Sequence, residues 1–102
     1  MEDVLGYRDA SVVVTGAASG MGAATAQVLV DLGAQVTAID IKPTAVAVSR
    51  FVEVDLRDRT AIDDVVASID EPVVNLFSCA GLPGPPFSEL DTMLVNFAFF
   101  VV

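Results

Sequence analysis

Apolar positions along the chain switch between two spacings, and the switching predicts the elements. Ser11 to Thr15 is a β-branched run that stops at a glycine, which suits a strand buried on both faces of a parallel sheet. From Gly20 to Leu32, Met21, Ala24, Val28 and Leu32 recur at helical spacing, and Gly33 stands where a C-terminal cap is expected. Gln35 to Asp40 and Arg50 to Asp55 read as two further strands, each ending in a carboxylate. Asp58 to Asp70 carries Ile62, Val65, Val66 and Ile69 on one side and Asp63 and Asp64 on the other, with Pro72 just beyond, the clearest helix in the chain. Val73 to Ser78 reads as a fourth strand, Cys79 to Phe87 as a glycine and proline loop, and Glu89 onward as the start of another helix.

Strand and helix thus alternate, which predicts an α/β layer fold with a parallel sheet. One connection resists the pattern. Only Ile41 to Ser49 separate the second and third strands, whereas a parallel crossover usually needs a dozen residues or more. The expectation there is a compressed single turn or an irregular loop begun by Pro43.

Composition narrows the possibilities. A length of 102 residues fits a single domain over 1–102, and 54% hydrophobic against 19% charged residues can supply a core. Five Lys plus Arg against fourteen Asp plus Glu give a net charge of −9, which disfavours nucleic acid and anionic membrane surfaces as partners. The first residues lack the pattern of a signal peptide and no stretch reaches membrane-spanning length, so a cytoplasmic location is expected. Cys79 is the only cysteine and there is no histidine, which excludes an internal disulfide, a Cys/His zinc site and a Ser-His-Asp hydrolase; no metal is expected.

The chemistry concentrates in Thr15-Gly16-Ala17-Ala18-Ser19-Gly20-Met21-Gly22. A turn from a parallel strand into a helix delivers unpaired N-H groups to one spot, glycines let a pyrophosphate approach the main chain, and the helix dipole adds about half a positive charge. The alternative is a tight turn without ligand. Asp40, eighteen residues beyond Gly22, lies where an acid accepts hydrogen bonds from an adenosine ribose and repels a 2′-phosphate. Neither Ser19 nor Ile41 supplies a cation for that phosphate; Lys42 is a weak signal the other way, so NAD is favoured over NADP.

These residues resemble the short-chain dehydrogenases/reductases. The eight residues from Thr15 to Gly22 match that family's T-G-x-x-x-G-x-G cofactor turn, with Thr15, Gly16, Ser19, Gly20, Met21 and Gly22 as the implied cofactor contacts alongside Asp40 and Ile41. Val54-Asp55-Leu56 resembles the acid after the third strand, which contacts the adenine; a carboxylate near the next helix's N-terminus is the other reading of Asp55. Ser78-Cys79-Ala80-Gly81 stands where the family has N-N-A-G, so Ala80 and Gly81 carry over and Ser78 and Cys79 do not, Cys79 reading as a small buried hydrophobe. Leu94-Val95-Asn96-Phe97 resembles the segment whose Asn holds a water in the proton relay; a helix-interior amide is the other reading of Asn96. Asp40-Ile41, the short second crossover and the Cys79-Ala80-Gly81-Leu82 segment resemble the branch containing 3α-hydroxysteroid dehydrogenase/carbonyl reductase and coniferyl alcohol dehydrogenase.

The resemblance implies a Rossmann-type doubly wound parallel sheet, here expected to be truncated after about four strands of the order 3-2-1-4-5-6. It also implies hydride transfer between a nicotinamide and an alcohol or carbonyl substrate. The family's Ser, Tyr and Lys have no counterparts, since Tyr7 and Lys42 have neither the spacing nor the place, so the chain by itself is expected to be inactive. A non-catalytic NAD-binding module and an oligomer-interaction subunit are the alternatives. An unpaired fourth strand beside the apolar tail Phe97 to Val102 predicts self-association, as a homo-oligomer or as aggregate.

Overall fold

In the computed structural model, which describes residues 5–69, 72, 73 and 75–80, the elements follow the order β1 (Ser11–Thr15), α1 (Gly20–Asp31), β2 (Gln35–Asp40), β3 (Arg50–Glu53), α2 (Arg59–Ser68) and β4 (Asn75–Ser78). All strand pairs are parallel, in the spatial order β3-β2-β1-β4. This is the Rossmann-type arrangement expected from the alternation, with β1 central between β2 and β4. Register places Thr15 beside Ile39 and beside Ser78, and Asp40 beside Glu53, so the strands finish along one edge of the sheet.

The sheet buries both faces, which is why β1 is apolar from Val12 to Val14. Val13 and Ile39 pack with Val54, Leu56, Ile62 and Val65 on the side of α2. Val12, Val14, Val36 and Ala38 pack with Ala17, Ala26, Leu29 and Ala34 on the side of α1. Alternation along β1 therefore distributes successive valines to opposite layers.

Helix α1 corrects one expectation. Its buried residues are Gly22, Ala26 and Leu29, while Met21 and Val28 are 79% and 57% exposed. The expected stripe from Met21 to Leu32 faces mostly outward, because glycine and alanine let the helix axis lie close to β1 and larger side chains would hold it off. Its end is as expected: Gly33 N-H donates to Val30 O and Ala34 N-H to Leu29 O, the paired bonds of a Schellman cap.

Four boundaries also shift. β3 stops at Glu53 because Asp55 turns the chain, its carbonyl accepting from Asp58 N-H at 3.0 Å. α2 starts after Asp58, whose carboxylate accepts from Thr60 N-H and Ala61 N-H at 3.0 and 3.3 Å, and ends at Ser68 with Ile69 already extended. Val73, expected in the fourth strand, precedes it and is partly exposed.

The short crossover contains no helix. Over 44–49 half-buried and exposed positions alternate, Thr44, Val46 and Val48 facing inward and Ala45, Ala47 and Ser49 outward. Val46 and Val48 pack against the α1-side core, so an irregular strap covers the surface that a helix would otherwise cover. Ser49 N-H donates to Val36 O at 3.0 Å and Ser49 Oγ to Gln35 Oε1 at 3.0 Å, which leads the strap into β3.

Candidate functional site

The turn after β1 begins at a glycine that could not be replaced. Gly16 has φ +72°, and a Cβ there would lie 2.7 Å from Ala80 N and 2.8 Å from Ala80 Cα. Positive φ and the neighbouring main chain exclude a side chain together. Gly16 N-H donates to Ile39 O, Cys79 N-H to Thr15 O and Ala80 N-H to Thr15 Oγ1, so the exits of β1, β2 and β4 are bonded to one another. Thr15 is fully buried and serves this junction.

Gly22 is packed just as tightly: a Cβ on it would fall 1.8 Å from the carbonyl oxygen of Gly16. Gly20 differs from both. Its φ is +59°, yet nothing lies within 4 Å of where a Cβ would be. One glycine of the three therefore opens onto free space.

That space faces a helix start with no side-chain cap. Ser19 is the N-cap of α1, extended at φ −157°, and its hydroxyl makes no capping bond; no acidic residue occupies the first turn. α2 offers the contrast within the same molecule, its N-terminus closed by Asp58. Uncapped N-H groups at the positive end of a helix dipole form a setting that an anion satisfies, and the open volume at Gly20 gives it access.

One carboxylate is bonded to the turn, and a second follows β3. Asp40 Oδ2 accepts from Ala18 N-H at 2.9 Å and Oδ1 from Lys42 N-H at 3.1 Å. An ionised carboxylate has about four acceptor positions. Two main-chain bonds orient Asp40 and leave capacity for hydroxyl donors. Val54 N-H donates to Asp40 O, linking the exit of β3 to that of β2.

Asp55 is held by Arg57, whose Nε lies 3.0 Å from Oδ1 and whose Nη2 lies 2.7 Å from Oδ2, with Arg57 N-H also bonded to Oδ1. The guanidinium bonded to it holds the Asp55 carboxyl below its ordinary value of 3.8, against an opposing effect of burial. It is therefore ionised at neutral pH and an acceptor only. The cap of α2 is Asp58, so Asp55 is not needed there. Leu56 is buried in the α2-side core, which leaves its main chain alone to face a ligand.

Met21 and Ile41 are exposed apolar side chains at the start of α1 and just past β2. Ala80 meets the turn at Gly16, and Cys79 is half-buried with a free thiol. Gly81 and Asn96 lie outside the described residues. Sequence reasoning missed Ala18, whose N-H meets Asp40, and Arg57 and Thr44, the last donating to Ala17 O at 2.7 Å. Arg57 was legible as an Asp-x-Arg spacing and Thr44 as part of the period-2 pattern after Pro43.

Comparison with known proteins agrees with this fold and shows the family. Residues 10–99 match the family model described as short chain dehydrogenase. The chain is 38% identical over 79 residues to coniferyl-alcohol dehydrogenase of Pseudomonas sp. (strain HR199 / DSM 7063), covering 78% of this chain and 31% of that protein. It superposes on ligand-free aldohexose dehydrogenase of Thermoplasma acidophilum with TM-score 0.77 at 24% identity, covering 92% of this chain and 42% of that one. A short chain dehydrogenase of Leptospira borgpetersenii serovar Hardjo-bovis (strain JB197), solved with bound NAD+, gives TM-score 0.75 at 18% identity, covering 93% and 43%. At those identities the two structures speak for the fold. The chain spans about a third of the length of the curated relatives it matches. Among the described residues no helix is long and apolar enough to cross a membrane.

Proposed function

The chain belongs to the short chain dehydrogenase family, and from that premise we propose that it holds the adenosine and pyrophosphate portions of NAD for a dehydrogenase. The observation that carries the reading is the uncapped start of α1 beside the open space at Gly20, with the Asp40 carboxylate already oriented by Ala18 N-H. In this reading the N-H groups at the start of α1, around Gly20 to Gly22, receive the pyrophosphate and Ser19 donates its hydroxyl. Asp40 accepts the two ribose hydroxyls, and its charge disfavours a 2′-phosphate, which sets NAD above NADP. Met21 and Ile41 supply apolar contact, Asp55 accepts from the adenine amino group and the main chain of Leu56 completes that edge. Ala80 and Gly81 line the path toward the nicotinamide.

NAD, when bound, supplies a hydride acceptor for an alcohol or, once reduced, a donor for a carbonyl. The part proposed for these residues is to bind and orient it. In the whole protein Asn96 is proposed to hold a water of the proton relay, and the substrate is proposed to be a small alcohol or carbonyl compound, as the name of the Pseudomonas relative suggests.

Calorimetric titration tests the reading. NAD should bind the 102-residue chain saturably, NADP at least about tenfold more weakly, and Asp40→Ala should lose about tenfold for NAD while narrowing the gap between the two. Equal affinities for NAD and NADP in the unaltered chain would rule out the role given to Asp40.

A further inference from the structure

The strap between β2 and β3 reaches the glycine turn through one side chain. Thr44 Oγ1 donates to the carbonyl oxygen of Ala17 at 2.7 Å, and Asp40 Oδ2 accepts from Ala18 N-H at 2.9 Å. That carbonyl and that N-H belong to the same peptide group, whose planarity fixes them pointing in opposite directions within one rigid plane. The Ala17–Ala18 peptide is thus held at both ends by side chains more than twenty residues further along. Each holding group is itself fixed: Thr44 Oγ1 accepts from Val46 N-H at 3.2 Å, which directs its proton to Ala17, and Asp40 Oδ1 accepts from Lys42 N-H.

We infer that Thr44 is a positioning residue for the nucleotide turn, locking the Ala17–Ala18 peptide so that the turn presents its N-H groups and Asp40 keeps its orientation. The inference rests on the NAD reading above. A flipped peptide would turn the Ala17 carbonyl toward Asp40, oxygen against carboxylate, and would add a negative dipole end to a place meant for phosphate. Ala17 is fully buried, so a released carbonyl has little water to turn to. Thr44 achieves this without touching the nucleotide.

The test compares Thr44→Val, which keeps the shape and removes the hydroxyl, with Thr44→Ser, which keeps the hydroxyl. Amide hydrogen exchange at Ala18 is measured without ligand, and NAD is titrated calorimetrically. Thr44→Val should speed exchange at Ala18 while Val12 to Val14 stay protected, and should weaken NAD binding about three- to tenfold; Thr44→Ser should restore both. Should Thr44→Val not fold, Thr44→Ala takes its place. Unchanged affinity in the valine variant, or equal losses in the valine and serine variants, overturns the inference and leaves the NAD reading standing. Absence of NAD binding by the unaltered chain overturns the NAD reading, and the lock is then decided by exchange alone: unaltered exchange at Ala18 in Thr44→Val refutes it.

Discussion

The three glycines of the turn look interchangeable as a spacing and are not interchangeable as atoms. Gly16 and Gly22 are required by main-chain atoms packed against them, at Ala80 and at Gly16 O. Gly20 alone of the three meets nothing; its positive φ favours glycine within the fold, and in the proposed reading the open space beside it also admits the pyrophosphate. Gly22→Ala should therefore lower stability by about 2–3 kcal/mol, since a clash with main chain cannot be relieved by rotamer change. Gly20→Ala should cost only about 1 kcal/mol, from its positive φ, yet weaken NAD about tenfold or more by filling the open space. Denaturant unfolding and NAD titration of both variants separate the two roles, and a Gly20→Ala chain that binds NAD normally would contradict this division. None of it was legible in the spacing, because the distinction depends on Ala80, more than sixty residues away, for Gly16 and on how the turn folds back onto Gly16 O for Gly22.

At the scale of elements, periodicity located all six in kind and place, with ends displaced by one or two residues. It failed where packing inverted its usual meaning. In α1 the large residues at helical spacing face outward and the small ones face the sheet, so the apolar stripe marked the wrong face. Between β2 and β3 the irregular loop, one of the two expected forms, is what the chain adopts; its packing went unread because Thr44, Val46 and Val48 alternate as a strand does without forming one. The two helix starts also differ in a way that residue types alone do not reveal, since Ser19 and Asp58 are both good caps by composition and only Asp58 makes the bonds. Asp58→Ala should cost about 1 kcal/mol in denaturant unfolding, whereas Ser19→Ala should cost close to nothing. A loss at Ser19 as large as that at Asp58 would mean that the start of α1 is capped after all.

For the whole molecule, the sheet order β3-β2-β1-β4 brings the turn, Asp40, Asp55 and Ala80 to one edge although they are spread over more than sixty residues. That convergence was legible from strand alternation, because parallel strands end on the same side. What was not legible was the set of bonds joining the exits: Gly16 to Ile39, Cys79 to Thr15, Val54 to Asp40 and the two-ended hold on Ala17–Ala18. Such bonds follow from register and loop conformation. In the proposed reading they give an acidic chain, with net charge −9, a place organised to receive a phosphate. Amide chemical-shift mapping during an NAD titration of the 102-residue chain tests this most directly. Saturable shifts should gather at residues 16–22, at Asp40 and Lys42, and from Asp55 to Arg57. Absence of saturable shifts, or shifts centred on the outer face of α2, would contradict it.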